Sequence, residues 1–97
     1  MKVVDANVVL RYLLNDVPHQ AEYAASIIEN ETVTIPNEVL AEVVYVLSGV
    51  YGAERQHIAQ NLKGLLGYRT VQCPDTEALV TALEQYEATR LDFFDCL

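Results

Sequence analysis

Short runs of β-branched residues alternate with helical patterns along this 97-residue chain, and the alternation restricts the folds open to it. Strands are predicted at residues 2–5, 32–35 and 70–73. Helices are predicted at residues 8–14, 19–30, 37–50, 55–66 and 78–86, because apolar side chains recur there at helical spacing. Strands that alternate with helices favour a parallel sheet covered by helices, so the predicted fold class is α/β.

Composition and charge narrow the class of protein. Apolar residues make up 52% of the chain and charged residues 21%, which is typical of a folded domain. A net charge of −8 argues against a surface that grips nucleic-acid phosphates by itself. This argument weakens if several acids share a metal ion, because the cation offsets their charge and attracts phosphate. Net charge therefore does not decide the substrate.

Cysteine and histidine predict little chemistry here. Cys73 and Cys96 are too few and too far apart for a disulfide framework or a zinc-binding pair, so we expect free thiols in a reducing compartment. His19 and His57 have no partners at ligand spacing and are expected at the surface. We find no signal segment and no apolar stretch of membrane-spanning length. The expectation is a cytoplasmic protein with no membrane partner.

The first candidate functional residue is Asp5, which ends the first predicted strand. Open α/β sheets bind ligands at the carboxyl ends of their strands, so an Asp there is well placed to face a cation. An Asp after a strand is equally suited to capping the helix that follows. Asn7 either orients Asp5 or a bound water, or simply lies in the first helical turn.

Glu42 lies at the edge of the apolar face of the third predicted helix, near Val39 and Val46. A lone carboxylate in that position is costly unless it is paired or bound to metal. The alternative is that its side chain reaches solvent or pairs with Arg11 or Lys63.

Asp92 and Asp95 are three residues apart, so on a helix they share one face and repel each other. Metal coordination is one way to relieve such repulsion. The alternative is that Asp92 caps a short helix in which Asp95 benefits from the N-terminal dipole.

Three segments, residues 5–16, 35–47 and 91–95, closely resemble the PIN-domain ribonucleases, and they occur in the same order along the chain. The resemblance is closest to the VapC-type toxins of toxin–antitoxin pairs. It implies a single PIN domain over residues 1–97, with a three-layer fold in which helices flank a central parallel sheet. The implied activity is metal-dependent hydrolysis of RNA phosphodiester bonds, in tRNA or another structured RNA.

The resemblance also implies roles for individual residues. Asp5, Glu42 and Asp95 would bind Mg²⁺ or Mn²⁺, Asp92 would be a catalytic carboxylate beside them, and Asn7 would support Asp5. Besides RNA, the implied partners are an antitoxin protein that fills the acidic pocket and a second copy of the chain in a homodimer.

PIN domains continue beyond the segment that matches residues 91–95, through further helices and strands, one of which carries another Asp. This sequence ends at Leu97, so we expect a domain truncated at its C-terminus that lacks the final strands and exposes a sheet edge beside the first strand. A second reading is therefore a catalytically inactive PIN module that binds an antitoxin or another protein. A phosphotransfer domain that uses Asp5 with Mg²⁺ fits less well, because the acidic pair that such domains carry is missing.

Overall fold

The computed structural model describes residues 2–97, in which three short strands alternate with helices. The strands are β1 Lys2–Val3, β2 Val33–Thr34 and β3 Val71–Gln72. The helices are α1 Ala6–Leu14, α2 Pro18–Asn30, α3 Asn37–Gly49, α4 Arg55–Leu66, α5 Thr76–Ala88 and α6 Phe93–Cys96. All five predicted helices are present, and α4 begins and ends at the predicted residues.

The strands form one parallel sheet in the order β1-β2-β3, flanked by helices, which confirms the predicted α/β fold. Each strand is shorter than predicted, but the ladder extends one residue further at the carboxyl edge. Val4 N donates to Thr34 O at 3.1 Å, and Ile35 N donates to Gln72 O at 3.0 Å. The chain then turns directly into α1 and α3, and helix formation ends the pairing. Side chains after β1 and β2 therefore meet at one edge of the sheet.

The core is built from apolar side chains of β2, β3 and every helix, together with Val4 after β1, and its largest fully buried members include Ile28, Ile35, Leu40, Leu62 and Leu83. Burying each such side chain contributes about 1.5–3 kcal/mol. Helix α3 packs against α1, α4 and α6, so it lies between the two regions that carry the candidate acids. The position of α3 thus decides which acids come together.

Several smaller expectations can be compared with the structure. Cys73 and Cys96 are free thiols, and His19 and His57 are exposed, as predicted. Burial raises the pKa of the Cys73 thiol above its ordinary value. Among residues 2–97, no helix is both long and apolar enough to cross a bilayer. Strand β1 lies at an edge of the sheet formed by the described residues, and its Val3 is exposed.

Candidate metal centre

Asp5 caps helix α1. Its backbone is extended, with φ of −92° and ψ of 174°, and its Oδ1 accepts a hydrogen bond from Val8 N at 3.1 Å. The capping interpretation of Asp5 is therefore confirmed. It does not compete with a ligand role, because the cap uses one carboxylate oxygen and the side chain is exposed. The cap instead limits how the other oxygen can point.

Glu42 reaches solvent from α3, between the buried residues Ala41 and Val43. The expected alternative partners are engaged elsewhere. Arg11 Nη1 donates to an oxygen of Asp16 at 3.0 Å, and Lys63 Nζ lies 3.4 Å from a Glu87 oxygen. The pairing of Glu42 with Arg11 or Lys63 is therefore wrong, and the solvent-facing alternative is right.

Asp5, Asn7 and Glu42 line one open cavity of about 290 Å³, together with the apolar residues Leu10 and Val46. The turn after β1 positions Asp5 and the first turn of α1 positions Asn7. Helix α3, which follows β2, positions Glu42. None of the described residues that line the cavity is cationic. The structure thus places two carboxylates and one amide around the same space without a positive side chain to balance them.

Asp92 lies just before α6 and Asp95 lies within it, and neither residue lines this cavity. Asp92 occupies the N-cap position and Asp95 is the third residue of the helix, as the capping alternative predicted. The carboxylate of Asp92 makes no capping hydrogen bond to any residue of α6, which is described in full. The predicted positions are therefore confirmed, but the predicted capping role of Asp92 is wrong. Within residues 2–97, no three His, Cys, Asp or Glu side chains are close enough together to hold a metal ion. The ligand role of Asp95 stays a prediction.

Arg55 fastens the segment that leads to Asp92, and sequence reasoning missed this role. Its Nε donates to Tyr86 O at 2.7 Å, and its guanidinium carbon lies 3.7 Å from the centroid of the Tyr86 ring. Another guanidinium nitrogen donates to Leu91 O. Phe93 then packs edge-on against Tyr86, with ring centroids 6.1 Å apart. No local pattern signals these contacts, because Arg55 is far in sequence from both acceptors.

The donor set of the cavity suits a hard divalent cation. Mg²⁺ prefers oxygen ligands, keeps several of its waters, and is commonly bound through one or two carboxylates together with substrate phosphates. Asp5 and Glu42 supply two such carboxylates in a cavity open enough for waters and a phosphate. The residues present therefore fit a magnesium or manganese ion.

The fold and the cavity define an α/β protein with an acidic site at the carboxyl edge of a parallel sheet. The sequence profile of the PIN domain matches residues 2–97, so the chain belongs to the PIN domain family. Neither the curated proteins nor the solved structures that were compared with it give a match. The family supports a nuclease as the kind of activity, and PIN domains generally use divalent metal ions.

Proposed function

We propose that this protein is a metal-dependent endoribonuclease that acts as the toxin of a toxin–antitoxin pair, similar to the VapC-type toxins. The observation that carries the proposal is the cavity that Asp5 and Glu42 share. None of its described lining residues carries a positive charge to balance the two carboxylates. Two carboxylates that line one open space offer a divalent cation the oxygen ligands that it prefers.

In this proposal, Asp5 and Glu42 hold Mg²⁺ or Mn²⁺. The bond from Val8 N to Asp5 Oδ1 restricts the Asp5 carboxylate, and Asn7 supports it from the first turn of α1. Asp95 is a further proposed ligand, with Asp92 beside it, on the strength of the family resemblance. The chemistry supplied on metal binding is activation of a water for in-line attack, with stabilisation of the charge that develops on the phosphodiester.

The proposed partners follow from the same cavity. A structured RNA such as tRNA is the proposed substrate. An antitoxin that inserts an arginine into the cavity would neutralise both carboxylates and block the metal. A homodimer is the proposed assembly, and the cytoplasm is the proposed compartment.

A second candidate function is a binding module that holds an antitoxin or another protein and cleaves nothing. The observation that favours it is the absence, within residues 2–97, of any group of three potential metal-binding side chains. Metal binding by two carboxylates alone is weaker than by three or four.

Cleavage of pooled tRNA and of unstructured RNA tests the proposal, with Mg²⁺ or Mn²⁺ present and with EDTA as the metal-free comparison. Glu42→Gln and Asp5→Asn should each lower the rate by at least about 100-fold, since each removes one anionic ligand. Asn is also a good helix cap, so Asp5→Asn keeps α1 intact. Glu38→Gln is the matched control, because Glu38 is exposed on α3 one turn earlier and makes the same charge change.

An equal loss of rate in Glu38→Gln would attribute the effect to net charge and contradict the proposed site. A folded parent protein that cleaves neither RNA, but binds a partner equally well after Glu42→Gln, would favour the binding module.

A further inference from the structure

A second open cavity, of about 430 Å³, lies between α3 and the segment that carries α6, and we call it the α3–α6 groove. The residues that give it its character are Tyr45, Ser48, Arg55, Tyr86, Asp92 and Phe94. Tyr45 is 73% exposed and Phe94 is 66% exposed, so two aromatic side chains of the groove are open to solvent. Large apolar groups exposed together in a concave surface are typical of a binding site.

Arg55, the cationic residue that lines the groove, is held by contacts within the protein. Arg55 lies against the ring of Tyr86 and donates to the carbonyl oxygens of Tyr86 and Leu91. Its guanidinium therefore holds the groove together, and two of its five N–H groups are used in these bonds. Asp92 also lines the groove, and its negative charge offsets that of Arg55. The groove therefore has no net positive charge to favour a phosphate or another anionic group.

The side chains that remain match a flat aromatic ligand with hydrogen-bond donors on its edge. Tyr45 and Phe94 offer ring surfaces for stacking, while Asp92 offers an acceptor and Ser48 a hydroxyl. Nucleobases have such a shape and chemistry, and a carboxylate pairs with the exocyclic amino group of cytosine, adenine or guanine. An apolar protein side chain would remove water from Asp92 without offering it a hydrogen bond, which is unfavourable.

The groove also lies next to the proposed metal site. Glu42 and Tyr45 are three residues apart on α3, and Cβ atoms at this spacing lie about 5–6 Å apart on a helix surface. Glu42 lines the acidic cavity and Tyr45 lines the groove. One RNA strand can therefore present a phosphate to the first and an adjacent base to the second.

We propose that the α3–α6 groove binds an RNA base that flanks the cleaved bond, stacked on Tyr45 and Phe94, with Asp92 accepting from an exocyclic amino group. This inference rests on the proposed nuclease function and adds a preference for bases that carry an amino group over uracil. Stacking on these rings would supply part of the affinity for RNA in a chain of net charge −8. It assigns Asp92 to base recognition, whereas the family resemblance implies that Asp92 is a catalytic carboxylate beside the metal ligands.

Neutral nucleosides test the groove without phosphate, metal or cleavage. In EDTA, adenosine and cytidine should shift the NMR signals of α3 and α6 residues around Tyr45 and Phe94 saturably, and uridine should bind more weakly. Tyr45→Ala should weaken binding of all three by about 5- to 100-fold, the loss expected when one stacking ring is removed. Tyr45→Phe keeps the ring and should bind like the parent. Tyr23→Ala is the matched control, because Tyr23 is 64% exposed on α2, outside the groove.

Asp92→Ala separates recognition from stacking. It should lower the affinity for adenosine and cytidine towards that for uridine while leaving uridine binding unchanged. In the cleavage assay, Tyr45→Ala should raise KM on a normal oligonucleotide, with no further increase when the flanking residue is abasic.

The outcomes distinguish this inference from the function on which it rests. Metal-dependent cleavage that is unaffected by Tyr45→Ala, together with no nucleoside shifts in α3 or α6, would overturn the base site and leave the nuclease standing. Nucleoside binding at Tyr45 in a protein that cleaves no RNA would support the base site and count against the nuclease. A change of oligomeric mass in Tyr45→Ala without any nucleoside effect would make the groove a protein interface and overturn the inference.

Discussion

The polar side chains at the two ends of helix α1 differ in whether the protein supplies them with bonding partners. At the N-terminal end, Asp5 shares an open cavity with Glu42, and none of the described lining residues is cationic. Within the described part of the chain, the side chain of Asp5 accepts a hydrogen bond only from the backbone amide of Val8, in the first turn of α1. This end retains unbalanced negative charge.

At the C-terminal end, the polar side chains bond one another. Arg11 donates to Asp16 at 3.0 Å, while the hydroxyl of Tyr12 donates to Glu29 at 2.7 Å and lies 3.0 Å from that of Tyr68. Burial and these two contacts raise the pKa of Tyr12 well above its ordinary value. The comparison teaches that polar side chains which satisfy each other's hydrogen bonds stabilise the fold. Polar side chains without such partners in the protein are candidates for binding a ligand.

Metal binding should give the largest difference between the two ends. Mg²⁺ at about a hundred times its Kd should raise the free energy of unfolding of the parent by about 2.7 kcal/mol. Glu42→Gln should remove most of this gain, and Tyr12→Phe should retain it. Urea unfolding with Mg²⁺ and with EDTA measures both. Equal stabilisation of Glu42→Gln and the parent by Mg²⁺ would contradict a metal-binding role for Glu42.

Tyr12→Phe should give the next largest effect. It removes the hydrogen bond to the carboxylate of Glu29 and should lower the free energy of unfolding by about 1.5 kcal/mol, the low end for a bond to a charged group. RNA cleavage should be unchanged, since the hydroxyl lies at the far end of α1 from Asp5. Tyr23→Phe is the control for loss of a tyrosine hydroxyl from an exposed side chain. If Tyr12→Phe lost cleavage while remaining folded, this end would not be purely structural.

Asp5 offers a sharper test, because it has both kinds of role. Asp5→Ala should lose the cap and lower the free energy of unfolding by about 1 kcal/mol, whereas Asp5→Asn should cost only a few tenths. Both variants should lose metal-dependent cleavage. Chemical unfolding beside the cleavage assay separates the two roles. Full cleavage by Asp5→Asn would limit Asp5 to capping.

The smallest expected effect is a difference in alkaline stability. The pKa of Tyr12 is higher in the folded protein than in the unfolded chain, so the folded state holds this proton more tightly. Its contribution is fully present below the unfolded pKa of about 10 and is lost as pH rises towards the folded value. The parent should therefore lose more stability above pH 10 than Tyr12→Phe does. Identical pH profiles for the two proteins would contradict the assignment.

Local patterns predicted most of the fold. The predicted strand segments 2–5, 32–35 and 70–73 contain paired or alternating β-branched residues, and α4 shows its apolar face in the sequence alone. The alternation of these elements indicated a parallel sheet, and three ordered motifs indicated the PIN family, which the match over residues 2–97 confirms. Sequence reasoning also placed Asp5 at a strand end and at a helix cap, because both roles depend on near neighbours.

Only the tertiary structure decided which distant side chains meet. Helix α3 brings Glu42 to Asp5, whereas Asp92 falls in a separate groove. The contacts of Arg55 with Tyr86 and Leu91 likewise join residues that no sequence period connects. The physical reason is that secondary structure follows from interactions over a few residues, while the meeting of distant side chains depends on how whole helices pack. The sequence by itself thus determined the elements and the family, and packing determined which acids share a cavity.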